Sequence, residues 1–170
     1  MRADDEAAIL ACIPSLRRYA RGLTGDPHRA DDLVQDTLER AWSRYSRWQR
    51  RGELRAWMFG IMHNHFIDGV RASHRQAEEA RAGDLPDLAV RATQTDHLEV
   101  RDLDRCLQGL SAEQREVLLL VCVEDLSYQE TAQVLGVPPG TVMSRLSRAR
   151  ERLGALMQGQ EPASRLHRVK

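Results

Sequence analysis

The stretch from Leu126 to Leu153, "LSYQETAQVLGVPPGTVMSRLSRARERL", admits few local folds. Ser127 precedes Glu130 by three residues, the spacing at which a helix N-terminus caps itself reciprocally. Gly136 can take the left-handed conformation that ends a helix. Val137 then plugs the core, and Pro139 suits the first turn of a second helix. Val142, Leu146, Ala149 and Leu153 recur at steps of four, three and four, one buried stripe. Met143, Ser144, Ser147, Arg148 and Glu151 are left outward, flanked by Arg145, Arg150 and Arg152. The stretch must therefore be a helix, a tight turn and a second helix with a basic outer face.

The same grammar extends upstream. "SAEQREVLLLVCVEDL" repeats the capping device with Ser111 and Gln114, and "LEVRDLDRCLQGL" reads as a helix ended by Gly109. Nearer the start, Ile9, Ile13, Leu16, Ala20 and Leu23 make a helical stripe that Pro14 kinks or restarts, with Gly22 and Gly25 closing it. "GDPHRADDLVQDTLERAW" opens another helix, with Asp26 as N-cap and Pro27 first inside. Its buried side should be Leu33, Val34, Leu38, Ala41, Trp42 and Tyr45, and its opposite side Asp32, Gln35, Asp36, Glu39 and Ser43. After a polar loop, "SRWQRRGE", a third helix is expected over 54–73, with Trp57, Ile61, Phe66 (or Asn64), Ile67 and Val70 inward.

Residues 76–97, "QAEEARAGDLPDLAVRATQTDH", break the periodicity and read as a flexible linker or a long surface loop. The expected fold is all-α: two small helical domains, 5–75 and 98–157, joined by the linker 76–97, with a tail 158–170. Ala, Leu, Arg, Glu and Gln, all good helix formers, dominate a chain with only 5% aromatics.

Composition narrows the function. Three widely spaced cysteines, Cys12, Cys106 and Cys122, form neither a disulfide framework nor a zinc ribbon, and read as small buried hydrophobes. No run is apolar enough for a signal peptide or a membrane span, so no membrane insertion and a cytoplasmic location are expected. Zero net charge hides alternating segments: acidic over 26–39, Arg-rich over 40–75 and again over 145–152. Clustered Arg fits either phosphate binding or a solvated helical face.

Joined to the turn chemistry above, the basic helix has the layout of a DNA-binding helix-turn-helix rather than a plain helical hairpin. Its second helix would enter the major groove, where Arg pairs bidentately with guanine and Ser is a shorter, less selective partner. Flanking Arg residues would meet phosphates, as would backbone N–H groups of Gly140 and Thr141 at the helix start.

"IMHNHFIDGVRASH", from Ile61 to His74, raises a rival reading, since nucleases use His-Asn-His clusters. On a helix, however, His63 and His65 diverge by about 200° and cannot ligate one ion. His74 suits the helix C-terminus as a cation. Nothing supplies a nucleophile, a metal cage or a cofactor cradle, so an enzyme, a metal site and a cofactor are not expected.

"ADDLVQDTLERAW", "LRAWMFGIMHNHFIDGVR" and "LSAEQREVLLLVCVEDLSYQETAQVLGVPPGTVMSRLSRARERL" together resemble a bacterial sigma factor of the extracytoplasmic-function group, over about residues 8–156. The resemblance implies a division of labour. The N-terminal domain would bind the clamp helices of core RNA polymerase through Asp32, Gln35, Asp36 and Glu39. It would read the promoter −10 element as melted strand through Trp48, Arg50, Arg51, Asn64 and Arg71, while Trp57 matches a structural position. The C-terminal domain would bind the polymerase flap and read the −35 duplex through Met143, Ser144, Ser147 and Arg148, with Arg145, Arg150, Gly140 and Thr141 beside them. Met143 stands where Lys or Arg is common, which replaces a polar contact by a possible thymine-methyl contact. "IMHN" replaces the commoner "IARN", and Gly60 a larger residue. The resemblance also implies an anti-sigma protein as partner. "IPSLRRYARGLTGD" and "LVCVEDLSYQETA" are similar to the general-stress-response subgroup. A stand-alone helix-turn-helix regulator is the alternative, but it needs neither the acidic face nor the −10-like helix.

Overall fold

A computed structural model describes residues 3–48, 52–82 and 98–159. In chain order the helices are α1 (Ala3–Ala11), α2 (Ile13–Thr24), α3 (Pro27–Arg44), α4 (Leu54–Ala82), α5 (Leu98–Gln108), α6 (Ala112–Leu118), α7 (Tyr128–Leu135) and α8 (Pro139–Met157). No strand occurs among the described residues.

Local signals set most boundaries. The chain restarts at Cys12 with Pro14 in the first turn of α2, and Gly25 ends that helix at φ 65. Asp26 caps α3 by accepting from the Arg29 N–H at 2.8 Å. Ser111 and Ser127 both form the reciprocal capping box, with Gln114 and Glu130 respectively. Gly136 ends α7 at φ 63, in the left-handed region.

In the N-terminal half, α2 packs on α3 and α3 on α4. Leu16, Tyr19, Ala20, Leu23, Leu33, Val34, Ala41, Met58, Phe59, Ile61 and Met62 fill the space between them. The Tyr19 ring meets Phe59 edge-on at 5.1 Å, and the Arg55 guanidinium lies 5.3 Å from the Phe59 centroid. In the C-terminal half, α8 packs against α5, α6 and α7 through Val142, Leu146 and Ala149, with Leu153 half-buried.

Several expectations are corrected. Trp42 is 48% exposed, because the inward stripe of α3 runs through Ala30, Leu33, Val34, Thr37 and Ala41 instead. Thr37 satisfies its buried hydroxyl by donating to the Leu33 carbonyl at 2.6 Å. Helix α4 does not stop at Ser73 but runs to Ala82, because "QAEEARA" consists of strong helix formers and no Gly or Pro intervenes before Gly83. Its core side chains are Met58, Phe59, Ile61 and Met62, whereas Trp57, Phe66, Ile67 and Val70 are half-buried. Only Cys12 is a buried cysteine; Cys106 is half-buried and Cys122 exposed.

After α6 the backbone widens into a π-helical turn, Leu119–Val123, where the Glu124 N–H donates to the Leu119 carbonyl at 3.0 Å. Asp125 follows at φ 52, a conformation aspartate tolerates better than most residues. The turn puts Leu119 and Leu120 inward and Cys122 outward, which explains the exposed thiol. It also carries Glu124 to a fully buried position.

The two halves are docked. Helix α2 meets α5, α6 and the π-turn, and α4 meets α7. At Gly22 a Cβ would lie 2.6 Å from Leu119 Cδ2, so a larger residue there would have to displace the Leu119 side chain from the seam.

Candidate nucleic-acid interface

Three surfaces carry the residues singled out above. The first is the outer face of α8. Met143, Ser144, Ser147, Arg148 and Arg150 are all exposed there. Helix α8 is held from behind by Val142, Leu146 and Ala149, so this face is a fixed platform. Ser144 Oγ donates to the Thr141 carbonyl at 3.1 Å and Ser147 Oγ to Glu151 Oε1 at 3.4 Å. Both bonds are local and easily exchanged for a base edge or phosphate.

The flanking residues are more constrained than their spacing suggests. Arg145 is half-buried and donates to Glu113 Oε1 of α6 at 3.0 Å. Arg150 Nη2 lies 3.5 Å from Cys122 Sγ, and this contact favours the charged guanidinium. Gly140 is exposed at the start of α8. The Thr141 N–H, however, donates to the Pro138 carbonyl at 2.9 Å. A phosphate would have to displace that bond.

The capping box that fixes α7 within this motif has a consequence for pH. Glu130 Oε2 accepts from the Ser127 hydroxyl at 2.6 Å and the Ser127 N–H at 2.8 Å. These bonds hold its carboxyl below the usual glutamate range. A depressed native pKa contributes stability above the unfolded value of about 4.3 and loses it as pH falls through the lower native value. Glu130→Gln is therefore expected to flatten part of the loss of thermal stability below about pH 4.3. An acid profile superimposable on the wild type would remove this group from the acid response.

The second surface is the N-terminal part of α4 with the loop before it. Trp48 stacks on Trp57 at 5.5 Å and 27°, and Tyr45 lies 5.6 Å from Trp48. The Trp48 indole N–H is buried with no partner. Trp57 belongs to this cluster and packs against the core, in keeping with a structural position. Asn64 is exposed, and its Nδ2 donates to the Gly60 carbonyl at 2.9 Å, leaving its carbonyl end outward. Arg44, Trp57, Gly60, Ile61 and Asn64 line a cleft of about 300 Å³ whose far wall is Gln133 and Val134 of α7. Arg71 is exposed about two turns further along α4. Arg50 and Arg51 lie outside the described residues.

The third surface is the acidic face of α3. Asp32, Gln35, Asp36 and Glu39 are all exposed, as the periodicity requires. Gln35 Nε2 donates to Glu39 Oε1 at 3.2 Å, which ties two of them together. Asp32 and Asp36 rim a groove of about 560 Å³ floored by Leu33, Phe66 and Val70.

The histidines separate as helical geometry demands. His65 Nε2 lies 2.7 Å from Asp36 Oδ2, while His63 Nδ1 lies 2.5 Å from Glu116 Oε1 in the C-terminal half. Neither pairing was legible in the sequence, because each partner sits far along the chain. His74 borders the α3–α4 groove. Among the described residues no group of His, Cys, Asp and Glu is arranged to hold a metal ion. No described helix is long and apolar enough to cross a membrane.

Comparison with known proteins follows the same two halves. Residues 9–63 match the family model described as the Sigma2 domain of PhyR, and residues 101–153 match Sigma-70, region 4. Over 149 residues the chain is 41% identical to the ECF RNA polymerase sigma factor EcfG of Rhodopseudomonas palustris, covering 88% of this chain and 82% of that one. Over 142 residues it is 37% identical to the RNA polymerase sigma-E factor of Streptomyces avermitilis, covering 82% of this chain and 76% of that one. Among solved structures it is similar to the sigma factor RpoE in complex with the anti-sigma factor NepR from Bartonella quintana. That match has a TM-score of 0.78 and 33% identity, over 94% of this chain and 100% of the other.

Proposed function

The chain belongs to the extracytoplasmic-function sigma factors of bacterial RNA polymerase, and from that premise we propose how its surfaces share the work of promoter-specific initiation. Residues 5–75 form the module that docks on the polymerase clamp helices and reads the melted −10 strand. Residues 98–157 form the module that meets the flap and reads the −35 duplex. Residues 76–97 join them, and 158–170 are a tail. The protein works as a non-catalytic factor in the cytoplasm.

On α8, Met143, Ser144, Ser147 and Arg148 face base edges, and Arg145, Arg150, Gly140 and Thr141 position the helix on phosphates. On α4 and its preceding loop, Asn64 reads a base, Trp48 offers a π-face, and Arg50, Arg51 and Arg71 follow the strand's phosphates. On α3, Asp32, Gln35, Asp36 and Glu39 meet a basic polymerase surface. The observation that carries this reading is the presence, on one chain, of an exposed acidic helix face and an exposed helix-turn-helix face. A stand-alone regulator has no use for the former. An anti-sigma protein is the proposed regulator, since the similar Bartonella quintana protein is bound by one.

Reversing charge on the acidic face tests the polymerase role. The Asp32→Arg, Asp36→Arg double variant is expected to bind purified core polymerase about 10- to 100-fold more weakly by fluorescence anisotropy, with its helix content unchanged. Undiminished affinity would remove α3 from the docking surface.

A further inference from the structure

The seam between the two halves is built from complementary charges that neither half uses alone. Glu124 of the C-terminal half is 0% exposed, and its partners both come from the N-terminal half. Arg18 donates from Nε to Oε1 at 3.1 Å and from Nη2 to Oε2 at 2.9 Å. Arg55, in the first turn of α4, donates to Oε2 at 2.5 Å. Glu116, 1% exposed, is met by His63 of α4 at 2.5 Å and by the Tyr19 hydroxyl at 3.5 Å. The reverse arrangement closes the edge: Arg115 donates to the Leu23 carbonyl, and Gln108 Nε2 to the Gly22 carbonyl at 3.2 Å. Buried carboxylates are costly unless fully partnered. The side chains that hydrogen-bond these two carboxyls, Arg18, Arg55, His63 and Tyr19, all lie across the seam.

The docked arrangement cannot serve a split promoter. Positions −10 and −35 are 25 base pairs apart, about 85 Å at 3.4 Å per pair. A compact chain of this length has a radius of gyration of about 16 Å, hence a diameter near 40 Å. Helix α7 also forms the far wall of the cleft that holds Asn64 and Trp57, where a strand laid along α4 would run. The chain between Ala82 and Leu98 could bridge roughly 50 Å when extended, so separation is sterically open to it.

We propose that Arg18, Arg55, His63 and Tyr19 on one half, with Glu124 and Glu116 on the other, form an ionic lock that holds the chain closed on itself, with its own helix α7 seated against the strand-reading face of α4. That this closure masks function rests on the assignment of α4 to the −10 strand; the lock itself does not. Opening exchanges the seam pairs for water and frees the α4 face.

The test uses the full chain, with Glu124→Gln and Arg18→Gln as separate variants. Each is measured by small-angle X-ray scattering and by anisotropy with a fluorescein-labelled pool of random single-stranded DNA. The wild type is expected to be compact, near a radius of gyration of about 16 Å. Both variants are expected to expand with unchanged far-ultraviolet circular dichroism. If the open form is about 1–10% of the wild-type population, full opening tightens strand binding about 10- to 100-fold. Compact variants, or an already extended wild type, would overturn the lock. Expansion without tighter strand binding would uphold the lock and instead overturn the assignment of α4 as strand reader. Arg18 is half-exposed, so its variant decides the matter if Glu124→Gln loses helix.

Discussion

Phe59→Ala is expected to destabilise the N-terminal half by about 3–5 kcal/mol, the range for truncating a fully buried aromatic. Phe59 is 0% exposed and sits where α2 and α4 meet. Three losses coincide. Its apolar area returns to water on unfolding with nothing gained in exchange. The edge-on contact with Tyr19 at 5.1 Å disappears, worth about 0.5–1.5 kcal/mol beyond area. The ring that receives the Arg55 guanidinium at 5.3 Å is also gone. The cavity cannot collapse easily, because Tyr19 is itself tied to Glu116. Urea unfolding checks the value. A loss under about 1 kcal/mol would mean that the packing around Phe59 is loose.

His63→Leu is the second large effect. Leucine nearly fills the imidazole's space, so the change is chemical rather than steric. It leaves Glu116, 1% exposed, with the Tyr19 hydroxyl at 3.5 Å as its remaining hydrogen bond across the seam. Burial, then the neighbouring Glu116, push the Tyr19 phenol well above its usual range, so it remains a proton donor. One weak donor does not satisfy a buried carboxyl, and leaving such a group short of its partner costs about 1–3 kcal/mol. The cost falls on docking of the two halves, so calorimetry should resolve two transitions where the wild type shows one. Adding Glu116→Leu should restore most of the loss, because an apolar pair of similar volume carries no unpaired charge. Failure of the double variant to recover would assign the effect to packing alone.

What was legible in the sequence was local. Both capping boxes, Gly136, the restart near Pro14 and the stripe of α8 follow from contacts within a few residues, which spacing encodes. The acidic face of α3 and the outward face of α8 were legible for the same reason. Helix α4 was harder. It packs against α1, α3 and α7, so its buried side chains spread beyond one stripe and Met58, Phe59 and Met62 escape a single-stripe reading. Trp42 faces outward because Thr37 and Ala30, which look unlike core residues in sequence, supply the inward positions instead. The seam was not legible at all. Glu124 finds Arg55 and Arg18 across 69 and 106 positions, and Glu116 finds His63 across 53. Nothing in the neighbourhood of a glutamate announces a partner that distant. Within the site, the tie of Arg145 to Glu113 likewise depends on packing.

One chain directs core polymerase to two separated promoter elements. Transcription of a random-sequence template library by core polymerase plus this protein, with start sites sequenced, tests it most directly. Two conserved boxes near −35 and −10 are expected, with Arg148→Ala costing about 1–3 kcal/mol of selectivity in the upstream box alone. Starts that do not depend on the added protein, or a single contiguous site bound tightly as duplex without polymerase, would contradict it.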